Sequence, residues 1–325
     1  MRIGTKLAGL LGTLILVSML TFLLTQLLPG DPVVSVLGAS YDTKTPTGLA
    51  QIASVRKELG LDKALPVRYL DWAGKAVRGD LGRSFGTNSG GIKTTRILKE
   101  RIPITLELML LTQLASIAVA IPLGVYSAYR QGKLLDRIIT YGSFAMLSLP
   151  AFVLALILVF VFAVKLKWLP TGGYTRLTAN LWQNLRSVII PVLTLSLGLI
   201  PVYARLIRSE MVSTLQEDFI LMARAKGMPD RHVLFRHALK PSSFSLLTVI
   251  GIQIGALIGG SVIVEFLMSM PGVGFALVDS VGQREYQVVL GLVLVITAFY
   301  VGANFVVDLL YSVLDPRIRR GSSRN

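Results

Sequence analysis

The chain has 325 residues, of which 53% are hydrophobic and only 16% charged, and its formal net charge is +15. Soluble globular domains are about a quarter charged, so this composition excludes an ordinary soluble domain and indicates a polytopic membrane protein. The chain has no cysteine, which excludes disulfides, cysteine-ligated zinc and thiol catalysis. The positive charge does not call for nucleic acid as a partner, because membrane proteins collect Lys and Arg on their cytosolic faces.

Six apolar runs are each near the length of about 20 residues that a bilayer span requires. Each run should be an α-helix, because lipid cannot satisfy exposed backbone polar groups. The predicted fold class is therefore an all-α polytopic membrane protein with six transmembrane helices. The predicted spans are Leu7–Leu28, Ile104–Tyr129, Ile138–Val164, Val188–Ile207, Phe244–Met268 and Val288–Leu314. The first run is too long for a signal-peptide core and is followed by Pro29-Gly30, so we interpret it as a span.

The distribution of Lys and Arg predicts the orientation of these spans. With the N-terminus inside, sixteen of these cations fall in cytosolic segments and five in short outer loops. Twelve more lie in the segment 29–103, but long loops cross the membrane largely regardless of charge. Both termini are therefore predicted to be cytoplasmic.

The predicted domain plan has four parts: a first transmembrane helix at 1–28, an extracytoplasmic segment at 29–101, a membrane domain at 102–314 and a cytosolic tail at 315–325. Leu49–Leu59 has apolar residues at helical spacing, Pro66–Val77 resembles a second short helix, and Gly79-Asp80-Leu81-Gly82 is typical of a turn. These features predict a small ordered cap on the outer face. The alternative is a disordered loop.

Small and ionisable residues inside the spans are candidates for a translocation path. Gly251, Gly255 and Gly259 are four residues apart, so they share one face of the fifth span. Ordinary helix packing is the alternative for each glycine. Glu265 is an intramembrane carboxylate and therefore a functional candidate that could face an outer vestibule or the cap. Snorkelling or interhelical ion pairing is the preferred interpretation of Glu107 and Asp308.

A polar loop, EDFILMARAKGMPDRHVLFRHALKP, separates the fourth and fifth spans. The carboxylates of Glu217 and Asp218 suit a helix start. Phe219–Lys226 has helical spacing, which places Phe219, Met222, Ala223 and Lys226 on one side with a small face at Ala223. Gly227 suits a C-terminal cap, and Pro229 prevents continuation. A second helix, Arg231–Leu239, is predicted to return the chain to the membrane. We interpret the loop as a protein-docking site. A plain connector and an amphipathic helix resting on anionic lipid are the alternatives.

Motifs for catalysis or nucleotide binding are missing from the sequence. Neither Gly74-Lys75 nor Gly132-Lys133 ends a phosphate-binding loop, and the two histidines, His232 and His237, have no HExxH frame. The chain is therefore predicted to be a non-catalytic subunit without a cofactor or metal, driven by a partner. The competing hypotheses are an ion-coupled carrier or channel and a membrane scaffold or receptor.

Several motifs occur in order along nearly the whole chain: LLPGDPV at Leu27–Val33, LGLDKALPVRYLDW at Leu59–Trp72, RGDLGRSF at Arg78–Phe85, RIPITLEL at Arg101–Leu108, IPLGVYSAYR at Ile121–Arg130, SLPAF at Ser148–Phe152, LPTGGY at Leu169–Tyr174, GGSVIVEFLMSMPGVG at Gly259–Gly274 and LLYSVLDPRIR at Leu309–Arg319. With these motifs and the loop at 217–241, the chain resembles the permease subunits of ATP-binding-cassette (ABC) importers in the dipeptide, oligopeptide and nickel branch.

The resemblance implies a type I ABC importer permease fold in a bacterial plasma membrane. It also implies a second, homologous permease as heterodimer partner, two ABC ATPase subunits or domains that bind ATP and Mg, and an extracytoplasmic solute-binding protein. Peptides are the expected solute, with nickel or another small solute as the alternative.

The same resemblance implies that the segment 210–241 is the coupling loop, whose short helix would bind in a surface groove of an ATPase subunit. The residues implied in coupling are Glu217, Asp218, Ala223, Arg224, Ala225, Gly227, Arg231, Arg236, His237, Ala238 and Leu239. The chain departs from the family pattern at Leu221 and Met222, where the broad motif has glutamate and alanine, and at Pro241, where the branch usually has asparagine.

Overall fold

The computed structural model describes residues 3–27, 33, 37, 45–58, 60–84 and 91–314. The predicted tail at 315–325, most of 28–44 and the side chain of Asp308 lie outside this part of the chain. Two compact units are present, one built from Met1–Thr105 with Pro271–Gly302 and the other from Leu106–Met270 with Ala303–Asn325.

The described residues are almost entirely helical, which confirms the all-α prediction. The helices are α1 Ile3–Leu27, α2 Pro46–Glu58, α3 Leu65–Val77, α4 Thr94–Tyr129, α5 Leu134–Leu147, α6 Ala151–Leu158, α7 Leu181–Thr214, α8 Asp218–Ala225, α9 Asp230–His232, α10 Leu239–Leu267, α11 Val273–Gly282 and α12 Tyr286–Leu314. Two π-helical segments, Val159–Lys165 and Val233–Ala238, follow α6 and α9. A short antiparallel ladder of β1 (Arg83–Ser84) and β2 (Ile92–Lys93), in which Arg83 pairs with Lys93, was not predicted.

Five helical stretches in the described part of the chain are long and apolar enough to cross a membrane: Ala8–Leu27, Thr94–Tyr129, Leu181–Thr214, Asp230–Leu267 and Tyr286–Val307. The third predicted span, Ile138–Val164, corresponds to a pair of helices bent by 102° between Leu147 and Ala151, which is a sixth candidate span if the pair crosses the membrane as one broken span. Pro150 explains the break. Its backbone is extended, it has no N–H to donate, and it disfavours helical geometry in the residue before it.

Both helices predicted between the first and second spans are present, as α2 and α3. The predicted turn that follows α3 has positive φ angles at Gly79 (83°) and Gly82 (89°), a conformation that glycine adopts without steric cost. A Cβ at Gly82 would lie 2.9 Å from the Gln287 side chain, so close packing also requires glycine there.

The first unit has its own apolar core, formed by Leu81, Leu98, Val273, Ala276, Val288 and Leu292. Beside this core, the Ser84 hydroxyl donates a hydrogen bond of 2.6 Å to the buried Glu285 carboxylate. The Val273 N–H at the start of α11 donates to the Thr105 hydroxyl at 2.9 Å. These bonds satisfy polar groups that the core would otherwise leave unpaired.

The second unit is organised around α7, which packs against α5, α6 and α10 and remains one helix through Pro191 and Pro201. It also touches α4 closely. A Cβ at Gly124 would lie only 2.7 Å from Ile207, so a side chain there would push the two helices apart. The buried Tyr203 exchanges hydrogen bonds of 2.8 and 3.2 Å with the Gln113 amide across the same contact.

Candidate functional site

The loop between α7 and α10 begins with the short helix α8. The helix follows Glu217, whose backbone is extended, and it carries Asp218 in its first turn. It ends at Gly227, which has a φ of 75°. The Gly227 N–H donates to the Arg224 carbonyl at 2.9 Å, and the Met228 N–H donates to the Ala223 carbonyl at 3.3 Å. This pair of bonds is the Schellman motif, so the predicted helix and its glycine cap are confirmed.

The returning limb of the loop differs from the prediction of a separate helix at Arg231–Leu239. Helical structure starts one residue earlier, in α9, passes through the π-helical segment Val233–Ala238 and runs on into α10 without a break. The wider π-helical turns end three residues before Pro241 and include His237, whose carbonyl would otherwise accept the N–H that proline lacks. The limb and the fifth span are therefore one continuous helix, Asp230–Leu267.

The predicted loop residues divide by exposure. The exposed ones are Glu217, Asp218, Arg224, Ala225, Gly227, Arg231 and Arg236, whereas His237 and Leu239 are half-buried. Ala223 and Ala238 are buried, with exposed fractions of 6% and 0%. The small face predicted at Ala223 therefore does not point outward: Ala223 and Ile220, three residues apart, form the inner side of α8 within the loop.

Three large apolar side chains lie exposed on α8 instead. Phe219, Leu221 and Met222 are 45%, 55% and 59% exposed, and we call them the α8 apolar surface. The predicted face of Phe219, Met222, Ala223 and Lys226 contained two of these residues but missed Leu221. Leu221 and Met222 are the positions that depart from the broad family motif, and this departure is the sequence signal that could have located the surface.

The loop is attached to the C-terminal end of α4. The Tyr129 hydroxyl donates a 2.6 Å hydrogen bond to the Asp230 carboxylate at the start of α9. One turn earlier on α4, the Tyr126 ring contacts Phe235 edge-on, with ring centroids 6.1 Å apart. A displacement of the loop would therefore act directly on α4.

A buried ion pair lies near the same ends of α4, α5 and α7. Both oxygens of Asp136 accept hydrogen bonds from the Arg208 guanidinium, at 2.6 and 2.8 Å. The carboxylate also accepts bonds from the Ser127 hydroxyl at 2.5 Å and the Gly132 N–H at 2.9 Å. In the sequence, Arg208 counts only as one of the cations that predict the orientation of the spans. The available signal was Asp136, the one acidic residue in the basic segment 130–137.

The four path candidates occupy different environments. A Cβ at Gly251 would lie 2.2 Å from the Val307 side chain, whereas one at Gly259 would meet nothing within 4 Å. Gly255 is half-buried. The Glu265 side chain is completely buried, so it does not face an open vestibule in this structure.

Glu107, interpreted as a snorkelling or paired residue, accepts hydrogen bonds from Tyr174 at 2.6 Å and from the Asn184 amide at 2.8 Å. It is therefore held by neutral donors. Burial, together with the Glu107 carboxylate, raises the pKa of Tyr174 to about 12, so this tyrosine stays protonated as a donor at physiological pH.

The long apolar helices, with the short capped helix α8 between α7 and α10, indicate a polytopic membrane protein. The chain belongs to the family described as "Binding-protein-dependent transport system inner membrane component", whose model matches residues 120–320. A second model, "Binding-prot-dependent transport system membrane comp, N-term", matches residues 3–109. The chain is thus an ABC importer permease, and the predicted family is confirmed.

Curated relatives match over nearly the whole chain. The probable peptide ABC transporter permease protein y4tP of Sinorhizobium fredii is 36% identical over 97% of both chains. The oligopeptide transport system permease protein AppB of Bacillus subtilis is 35% identical over 93% of this chain and 94% of its own length. A chain of the MetNI methionine ABC transporter, solved in inward-facing conformations, superposes with a TM-score of 0.53 at 16% identity, covering 67% of this chain and 96% of that one. This likeness confirms the predicted type I importer permease fold.

Proposed function

We propose that this permease carries di- or oligopeptides and forms their path together with a second, homologous permease. The relatives that match over almost its full length are named as permeases for peptides or oligopeptides. Nickel or another small solute is the competing substrate class. A separate extracytoplasmic binding protein delivers the solute, and this chain catalyses no reaction itself.

The α8 apolar surface is the proposed docking site for one of two cytosolic ABC ATPase subunits or domains. Exposure of Leu221 and Met222 on a short, sharply capped helix is the observation that carries this proposal. Taking a large apolar side chain from full exposure to full burial contributes about 1.5–3 kcal/mol. Because these three side chains are about half exposed, each would contribute a part of that on docking, against the cost of association. ATP and Mg are bound by the ATPases, and this chain holds no cofactor.

The attachment to α4 suggests how docking becomes transport. When the ATPases close on ATP, they move α8, and the contacts of Tyr129 with Asp230 and of Tyr126 with Phe235 transmit that motion to the second span. The exposed cations Arg224 on α8 and Arg231 and Arg236 on the returning limb would orient the docking surface toward the partner. Buried Ala223 lets α8 pack closely on the returning limb.

The proposed setting is a bacterial plasma membrane, crossed several times, with the loop and both termini in the cytoplasm. The excess of Lys and Arg in the segments that would be cytosolic supports this orientation. Among the path candidates, open Gly259 is the proposed lining residue, Gly255 is its half-buried neighbour, and Gly251 packs α10 against α12. Buried Glu265 would hold α10 in place beside the path.

The docking proposal is tested by co-purification. Met222→Asp should reduce recovery of the co-expressed ATPases with the tagged permease, because a carboxylate cannot enter an apolar contact without a large desolvation cost. Leu177→Asp is the matched control, since Leu177 is 51% exposed in the segment between the third and fourth spans. Unchanged ATPase recovery with Met222→Asp refutes the docking site.

The substrate is tested separately with the intact importer in a strain that lacks its own peptide uptake. Uptake of labelled di- and oligopeptides that depends on ATP and on the binding protein is expected. Uptake of nickel alone would replace the peptide assignment. Uptake that follows the membrane potential without ATP would support an ion-coupled carrier instead.

A further inference from the structure

A cavity of about 300 Å³ lies within the first unit, away from the coupling loop. Phe22 and Gln26, in the last two turns of the candidate span Ala8–Leu27, form part of its wall. Tyr286 and Leu290, at the beginning of the span Tyr286–Val307, form another part. Helix α3 closes it with Trp72. Where these two candidate spans cross a bilayer, the cavity would lie at the points at which they leave it, at the level of the lipid headgroups.

The cavity wall is strongly basic. Five of its side chains are cationic and two are acidic: Lys57, Lys63, Arg68, Lys75 and Arg83 against Asp71 and Asp80. Asp71 is already paired with Lys63 at 2.6 Å, and Asp80 accepts the Gly82 N–H at 3.1 Å. The Arg68 guanidinium lies 5.8 Å above the Phe22 ring, and burial lowers its pKa. An anion in the cavity would thus meet a partly desolvated cation, whose attraction water screens less.

Two buried polar atoms on the wall have no hydrogen-bond partner among the residues that the structure describes. They are the indole nitrogen of Trp72 and the hydroxyl of Tyr286. Buried donors without partners are rare, and each calls for an explanation such as a bound ligand. An indole N–H can only donate, so an acceptor must satisfy it. The missing partner is therefore an acceptor group beside several cations.

We propose that this cavity binds the phosphate headgroup of an anionic phospholipid. Phosphate offers several acceptor oxygens to the Trp72 indole and the Tyr286 hydroxyl, and its negative charge matches Lys57, Lys75 and Arg68. A lipid is the source that fits the place, because Phe22, Gln26 and Leu290 lie near the ends of two candidate spans, where acyl chains join their headgroups. This assignment does not depend on the transported solute.

The experiment uses the full chain with its partner permease in detergent, titrated with phosphatidylglycerol or with zwitterionic phosphatidylcholine and followed by native mass spectrometry. The double variant Lys57→Gln/Lys75→Gln should weaken phosphatidylglycerol binding about tenfold or more. The matched control is Lys93→Gln/Lys99→Gln, which removes two exposed cations from another depression of the same unit. The control should stay within about twofold of the parent chain.

Tyr286→Phe separates a ligand contact from a structural role. If the hydroxyl donates to phosphate, the variant binds phosphatidylglycerol about threefold or more weakly. In lipid-free detergent its thermal midpoint should be unchanged or higher, because it removes a buried hydroxyl that has no hydrogen-bond partner in the described part of the chain. A midpoint that falls in lipid-free detergent, with unchanged lipid binding, would assign the hydroxyl to the fold and overturn its role as a ligand donor.

Competition with inorganic phosphate distinguishes a lipid headgroup from a free phosphate ion as the occupant of the cavity. Retention of phosphatidylglycerol in the presence of millimolar phosphate supports the lipid assignment. Displacement of the lipid by phosphate alone would make this a small-anion site and overturn it. Equal binding of the two lipids, or equal losses in the Lys57/Lys75 variant and its control, would overturn the site altogether.

Discussion

The cap of α8 gives the sharpest prediction about coupling. Gly227 has a φ of 75°, and a Cβ built there would meet nothing within 4 Å. Gly227→Ala therefore adds backbone strain without a steric clash. The left-handed conformation costs a residue with a side chain about 1–2 kcal/mol. The lower chain entropy of the unfolded alanine variant offsets about 0.4–1 kcal/mol of that cost.

A net penalty of about 1 kcal/mol lowers the equilibrium constant for forming the capped helix end roughly fivefold. Asparagine tolerates the left-handed region and should perturb the cap less than alanine, whereas β-branched valine should perturb it more. ATP-dependent uptake per assembled complex should follow the order Gly, Asn, Ala, Val.

Gly132 provides the matched control, because its φ is 76° and its Cβ position is equally open. Gly132→Ala should lower the thermal midpoint of the detergent-solubilised chain about as much as Gly227→Ala does. Only Gly227→Ala should also lower uptake and stimulated ATPase activity per complex. Equal transport losses in the two variants, or full uptake with Gly227→Val, would refute the claim that the α8 cap matters for coupling.

Three further variants test individual contacts. Gly251→Ala should destabilise the chain by about 1–3 kcal/mol through overpacking, because its Cβ would lie 2.2 Å from Val307; adding Val307→Ala should restore the thermal midpoint, and Gly259→Ala should leave it unchanged. Asp136→Asn should cost about 1–3 kcal/mol in unfolding free energy by weakening a bidentate contact to a cation, and an unchanged midpoint would contradict the stabilising role. Tyr129→Phe should retain co-purified ATPases but reduce uptake per complex; normal uptake would mean that this hydrogen bond transmits nothing.

Features set by neighbouring residues could be predicted from the sequence. Helices α2, α3 and α8 depend on local spacing, and the stop at Gly227 depends on glycine's freedom to adopt positive φ. The direction of the small face at Ala223 could not be predicted, because packing against the returning limb decides which side of an eight-residue helix is buried.

Contacts between distant parts of the chain were also out of reach. Asp136 and Arg208 are 72 residues apart, and Tyr129 and Asp230 are 101 apart, so no local pattern joins them. A proline such as Pro150 disfavours a straight helix, but whether it kinks a span or turns it by 102° depends on the helices around it.

Docking of α8 onto an ATPase can be tested by site-specific cross-linking. The chain has no cysteine, so a single cysteine introduced at Met222 gives a signal without background from the permease itself. In the assembled importer, Met222→Cys should form a cross-link with an ATPase subunit, whereas Leu177→Cys, in the segment between the third and fourth spans, should not. Absence of an ATPase adduct at Met222, or an equal adduct at Leu177, would contradict the account.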